Sequence, residues 1–176
     1  MARIDAAEGS LRLLTVIAFR AVNHSGHPGY DPAFQRDHLL PRQLLWERCF
    51  RPMFAALGRE QVGFDDFCVN GLLLPANEDA TLRTGMPLHR GHHHRYNEVV
   101  IARVGRIEAS WSHVRIHDPE AAVAEALMRL HLLHGALRGQ LLAERRRMLL
   151  NRKDPLGTGF DFSKLDAMAE ALWAAE

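Results

Sequence analysis

The spacing of apolar positions along the 176-residue chain changes several times, and each change predicts an element. A continuous apolar run, Leu13 to Phe19, is followed by turn formers at Asn23, Ser25, Gly26, Pro28 and Gly29. From Pro41 to Leu57 the apolar residues Leu44, Leu45, Cys49, Phe50, Phe54 and Leu57 recur at helical spacing. Pro52 inside that stretch predicts a kink or two shorter helices, and Gly58 a stop. Phe64 to Phe67 reads as a turn. Cys68 to Pro75 reads as a short strand with a break at Asn70-Gly71, followed by a loop to Pro87. A helix is predicted from about His89 to Trp111, with Val100, Val104, Ile107 and Trp111 on one face. Asp118-Pro119-Glu120 then starts another helix. Its apolar seam (Val123, Leu127, Leu130, His134, Leu137, Leu141) suits packing on a helix of the same chain, or else a dimer seam. Asp154-Pro155-Leu156-Gly157 breaks the chain before a last amphipathic helix from about Ser163 to Trp173. The sum is a mostly helical α+β chain with a small β-element in the middle.

Composition narrows the class. The apolar fraction is 47% and the charged fraction 24%, as in ordinary globular proteins that bury a core without disulfides. With 22 Lys+Arg against 21 Asp+Glu, the near-neutral charge argues against passive coating of nucleic acid, though a local basic surface remains compatible with it. Cys49 and Cys68 are too few for a disulfide scaffold and read as reduced, partly buried thiols. The Leu13–Phe19 run is too short to span a bilayer. Asp5, Glu8 and Arg20 around it make a poor signal peptide, so a cytoplasmic protein without membrane contact is expected. A toxin exported without a cleaved signal would look the same. No P-loop, His-Glu-x-x-His or Gly-x-Ser-x-Gly motif is present.

The eleven histidines change the picture, because several crowd into Pro87-Leu88-His89-Arg90-Gly91-His92-His93-His94-Arg95-Tyr96. On a helix, residues four apart share a face, so His89 and His93 can aim two imidazoles at one ion. His92 and His94 point elsewhere and read as bystanders. Upstream lies Asp37-His38-Leu39-Leu40-Pro41. Adjacent side chains on an extended segment point to opposite sides, so one of Asp37 and His38 can face a metal and the other a substrate. An amide at Asn70 can bond a histidine ring and fix its tautomer. Arg36, Arg42, Arg90 and Arg95 flank these residues and could contact phosphates. Tyr96 reads as packing or a supporting hydrogen bond. The strongest basic cluster is Arg145-Arg146-Arg147 with Arg152 and Lys153, either a solvated helix end or a non-specific backbone contact.

The three blocks Asp37-His38-Leu39-Leu40-Pro41, Asn70-Gly71-Leu72-Leu73-Leu74-Pro75 and His89 to Tyr96, in that order, resemble the His-Me finger (ββα-metal, HNH/endonuclease VII) nucleases. Within that group they look most like the AHH family. The resemblance covers roughly residues 33 to 107. It implies a ββα-metal core with added N- and C-terminal helices, arranged as a nuclease domain over 1–117 (core 33–111) and a helical extension over 118–176. It places His38 as general base, Asn70 as the residue orienting it, and Asp37, His89 and His93 as metal ligands. The family is named for Ala-His-His; here the triplet is Arg36-Asp37-His38, so the first ligand is a carboxylate rather than an imidazole.

What the resemblance implies about function is a metal-dependent endonuclease, with DNA favoured over RNA as its nucleic-acid partner. One divalent ion is expected, Mg or Mn favoured by the added carboxylate, with Zn or Ni as the other options. The ion polarises the phosphodiester, and neutral His38 takes the proton of the attacking water, giving 5′-phosphate and 3′-hydroxyl ends. Arg42, Arg90 and Arg95 are the phosphate contacts expected nearest this chemistry. A toxin with an immunity partner is one setting the resemblance implies, and a stand-alone housekeeping, defence or mobile-element nuclease is another. Two rivals stay open. One is a structural zinc site drawing on His89, His93, Cys68 and Cys49. The other is an interaction protein on a decayed nuclease fold.

Overall fold

A computed structural model describes residues 16–91, 93–143, 150 and 154–156. Its order is β1 (Phe34–His38), α1 (Arg51–Leu57), α2 (Arg59–Val62), α3 (Phe67–Asn70), β2 (Gly71–Pro75), α4 (Glu78–Thr84), α5 (His94–Val114) and α6 (Pro119–Leu142). Short 3₁₀ turns add Phe19–Ala21 and Arg42–Leu45. β1 and β2 pair antiparallel, with Phe34 opposite Pro75 and His38 opposite Gly71. This α+β arrangement, a two-stranded sheet followed by a long helix, is a small ββα-type core. No helix among the described residues is long and apolar enough to cross a membrane.

Local chemistry explains where the elements depart from the sequence pattern. The stretch Pro41 to Leu57 does divide in two, with Pro52 in the first turn of α1, where its missing N–H costs nothing. Gly58, at φ 76°, ends α1 as expected. The strand starts at Gly71 rather than Cys68, because the Asp66 carboxylate accepts from Cys68 N and winds residues 67–70 into one helical turn. The loop expected after Pro75 contains α4. Asn77 caps it through Ala80 N, Glu78 and Asp79 suit its N-terminus, and Gly85 closes it in the left-handed region. The histidine-bearing helix begins at His94, not at His89. Gly91 at φ 80° and the backbone bond from His89 N to Pro75 O hold residues before it in a non-helical path.

One apolar core joins these elements. Leu39, Leu40, Leu44, Phe54, Phe64 and Leu74 meet Val100, Val104 and Ile107 of α5 and Leu130, Leu137 and Leu141 of α6. The seam on α6 therefore packs within the chain, with Val123 and Leu127 at its edge. Asp118 caps α6 through Ala121 N, as its sequence predicts. Arg138 of α6 donates to the carbonyls of Cys68 and Val69, so α6 also braces the turn that carries Asn70. Both cysteines are free and exposed rather than partly buried. The run Leu13–Thr15, the cluster Arg145–Arg147 with Arg152 and Lys153, and the segment Ser163–Trp173 lie outside the described residues.

Candidate metal centre

Strand β1 sorts its side chains by parity. Asp37 and Gln35 share the face that meets His89: Asp37 Oδ1 is 3.3 Å from His89 Nε2, and Gln35 Oε1 is 3.1 Å from His89 Nδ1. Arg36 and His38 share the other face, against the 3₁₀ turn at Phe19. The His38 ring stacks on Phe19, with centroids 3.8 Å apart and planes 3° from parallel, and the Arg36 guanidinium donates to Phe19 O at 2.8 Å. The expected division between Asp37 and His38 follows directly from the pleat.

His93 completes the Asp37 side. One ligand atom from each of Asp37, His89 and His93 lies within 4.8 Å of the other two, the one such cluster of His, Cys, Asp or Glu among the described residues. The two imidazoles converge for a reason the helical spacing did not supply. His93 is the N-cap of α5, whereas His89 sits in the extended approach pinned to Pro75, and their ring centroids are 4.6 Å apart. Each ring has its Nδ1 turned to a carbonyl oxygen, Gln35 Oε1 for His89 and Leu150 O, at 3.4 Å, for His93. A carbonyl accepts only from N–H, so the tautomer with its proton on Nδ1 makes both contacts and leaves Nε2 for a cation.

These residues fit a divalent cation. Asp37 Oδ1 accepts from His38 N, while Asp37 Oδ2 is buried with no hydrogen-bond partner. A buried carboxylate oxygen without a partner is costly unless a cation meets it. One carboxylate and two imidazoles are a common donor set for such ions. Neither Cys49 nor Cys68 joins the cluster.

The backbone after His38 is held with equal care. Leu39 and Leu40 are fully buried, each contributing about 2 kcal/mol by area. Their polar groups are met by two side chains. Asn70 Oδ1 accepts from Leu40 N at 2.6 Å and its Nδ2 donates to Leu40 O and Phe64 O; its own carbonyl accepts from Leu39 N. The Tyr96 hydroxyl, completely buried, donates to Leu39 O at 2.7 Å. Burial, with Asp37 nearby, raises the Tyr96 pKa well above its ordinary value, so it stays a donor. Asn70 was expected at a histidine ring. It bonds instead to the chain that carries the ring, because its buried amide faces the backbone of residues 39–40.

His38 itself has no hydrogen bond on its ring among the described residues. Burial holds its pKa below the ordinary value of 6.5. Asp37 opposes that shift, Arg42 and Arg36 add to it, and Asp65 opposes it. Arg42 and Arg36 thus both lie within electrostatic reach of His38, and the Arg36 guanidinium is also engaged at Phe19 O. Arg90 and Arg95 are exposed beside His89 and His93 in sequence, and His94 is exposed as the first residue of α5; His92 is outside the described residues.

Two supporting residues escape a sequence reading. Gln35 has a signal, since it lies two positions before Asp37 and must share its face on a strand. Phe19 has none, because its partner is remote in sequence. Opposite His38, Gly71 leaves room for the Phe67 ring, which a Cβ would meet at 2.2 Å; Phe67 in turn packs edge-on against Phe19.

A two-stranded sheet and a helix gather a carboxylate and two imidazoles that could hold a metal ion, with a third histidine on the opposite face of the same strand, within a ββα-type core. The model of the AHH family, described as a nuclease family of the HNH/ENDO VII superfamily with conserved AHH, matches residues 18–129, and the chain belongs to that family. No curated protein and no solved structure matches.

Proposed function

We propose that the protein is a metal-dependent endonuclease that hydrolyses phosphodiester bonds, of DNA in the first instance, with one divalent ion at Asp37, His89 and His93 and with His38 as general base. The observation that carries this reading is the gathering of Asp37, whose Oδ2 is buried without a hydrogen-bond partner, with the imidazoles of His89 and His93, while the adjacent His38 stacks on Phe19 on the other face of the strand. Asp37, His89 and His93 would hold the cation, which would supply Lewis acidity to the phosphodiester. Neutral His38 removes a proton from water; the new O–P bond forms as P–O3′ breaks, and the 3′-oxygen is reprotonated from solvent. Its lowered pKa keeps the ring unprotonated near neutral pH. Stacking on Phe19 fixes the plane of the ring without occupying either nitrogen, which leaves both for proton transfer. Asn70 and Tyr96 hold the backbone behind it. Arg42, within reach of His38, suits a substrate phosphate, with Arg90 and Arg95 as outer contacts. The carboxylate among the ligands favours Mg or Mn over Zn or Ni.

The test is cleavage of supercoiled plasmid DNA, and separately of RNA, by pure protein over a panel of divalent ions. Nicking with Mg or Mn that chelator stops and His38→Ala removes is the expected result. Metal binding with no cleavage of either polymer would leave a metal-binding interaction protein on the same fold.

A further inference from the structure

The part of the chain that matches the family ends at residue 129, yet the candidate metal centre receives contacts from beyond it. Residues 150 and 154–156 return to the ligand histidines and touch the site twice. Leu150 has its side chain in the core, 4% exposed, and its carbonyl oxygen 3.4 Å from His93 Nδ1. Asp154 is 5% exposed, and its two carboxylate oxygens accept from different strands of the chain. Oδ2 takes the N–H of Leu88 at 2.6 Å, and Oδ1 takes that of Leu156 at 2.9 Å. Leu88 is itself buried and precedes His89, whose N–H is bonded to Pro75 O. The dipeptide Leu88-His89 is thus clamped at consecutive amides, one by Asp154 and one by the end of β2.

A buried acid that accepts two backbone N–H groups is costly to place unless the bonds are made, and the geometry it fixes is that of the ligand pair. The hydrogen-bonded neighbours of metal ligands set ring orientation and tautomer. We infer that Asp154 is a positioning residue of the metal centre: together with the Leu150 carbonyl it ties residues 150 and 154–156 to Leu88-His89 and His93, so that both imidazoles present Nε2 to one cation. The inference rests on the metal-site reading above and adds to the centre a segment outside the family match.

The test uses the full chain with Asp154→Ala and Asp154→Asn, His93→Ala as the control, and Mn²⁺ and Zn²⁺ as probes. Affinity is read by calorimetry, and the stability of the metal-free protein by thermal unfolding with chelator. Asp154→Ala should bind either ion about 10- to 100-fold more weakly. Asp154→Asn, which keeps an acceptor for Leu88 and the side-chain volume, should fall between Ala and parent, and it decides the matter if Ala does not fold. Nitrogen-15 spectra should show His93 with its proton on Nδ1 in the parent and a mixed tautomer in the variants. Parent-like affinity and tautomer in the folded Asp154 variants, whatever happens to their melting temperature, would overturn the inference. If His93→Ala also binds as the parent does, the metal-site reading itself fails; if only His93→Ala loses the ion, that reading stands and the role of Asp154 alone is refuted.

Discussion

The two faces of β1 hold their histidines by different physics. On the Asp37 face, His89 is fixed by a hydrogen bond to Gln35 and His93 by one to Leu150. On the other face, His38 is fixed by stacking on Phe19, with no ring hydrogen bond among the described residues. The difference matches the chemistry each face would perform. A ligand imidazole must present one nitrogen as a lone pair, so its other nitrogen is committed to a carbonyl. A base must gain and lose a proton at its ring, and a face-on apolar contact orients the ring without committing either nitrogen.

Substitutions can break this division, and the largest effects belong on the ligand face. Asp37→Ala or His89→Ala should abolish Mn²⁺ binding and reduce cleavage to background; titration calorimetry beside a nicking assay checks both. His38→Ala should lower the cleavage rate by about 10²- to 10⁴-fold and leave metal affinity unchanged. Equal loss of metal binding in that variant would show that the two faces are not independent. Asn70→Ala removes the partner of Leu40 N, Leu40 O and Phe64 O, and should cost about 2–4 kcal/mol of unfolding free energy in denaturant titrations. Phe19→Ala frees the His38 ring and should reduce kcat by about 10-fold or somewhat more, with metal affinity and KM near the parent values. A parent-like kcat there would mean that stacking does not position the base.

The smallest effect is in pH. The base acts when neutral, so the rate should fall as pH drops through its pKa, and burial places that pKa below 6.5. The acidic limb of the rate profile should therefore have its midpoint below that value, and a bound cation nearby would push it in the same direction. A limb above pH 6.5 would point to a different base.

The residues proposed to carry the chemistry, Asp37, His38, Asn70, His89 and His93, were singled out by residue type and motif order; the fold class was legible with them, and so was the gathering of Asp37, His89 and His93. The geometry joining them was less so. His89 and His93 do meet, but through a left-handed glycine and a cap rather than through helical spacing, since backbone bonds to Pro75 outcompete the helix at residue 89. Asn70 has a partner other than the expected histidine ring, because its buried amide serves the nearest unsatisfied backbone. Helix α4 had its cap and stop in plain letters, Asn77 and Gly85, in a stretch too polar to show apolar periodicity. Phe19 over His38 had no local signal at all, being a contact that only the tertiary fold creates.

The register of the sheet carries a consequence in time. His38 pairs with Gly71 across an excursion that contains α1, α2 and α3, so no tight turn can zip β1 to β2. Closing so long a loop costs chain entropy that the two short strands regain only once the intervening helices have collapsed. The pairing should therefore follow that collapse, and the Asp37 cradle, which needs β1, His89 and His93 together, should follow the pairing. In refolding of a Trp46→Phe, Trp173→Phe variant followed by Trp111 fluorescence and by Mn²⁺ capture, capture should lag the burial of Trp111. A chain caught half-folded would hold its hydrophobic core before it could hold an ion.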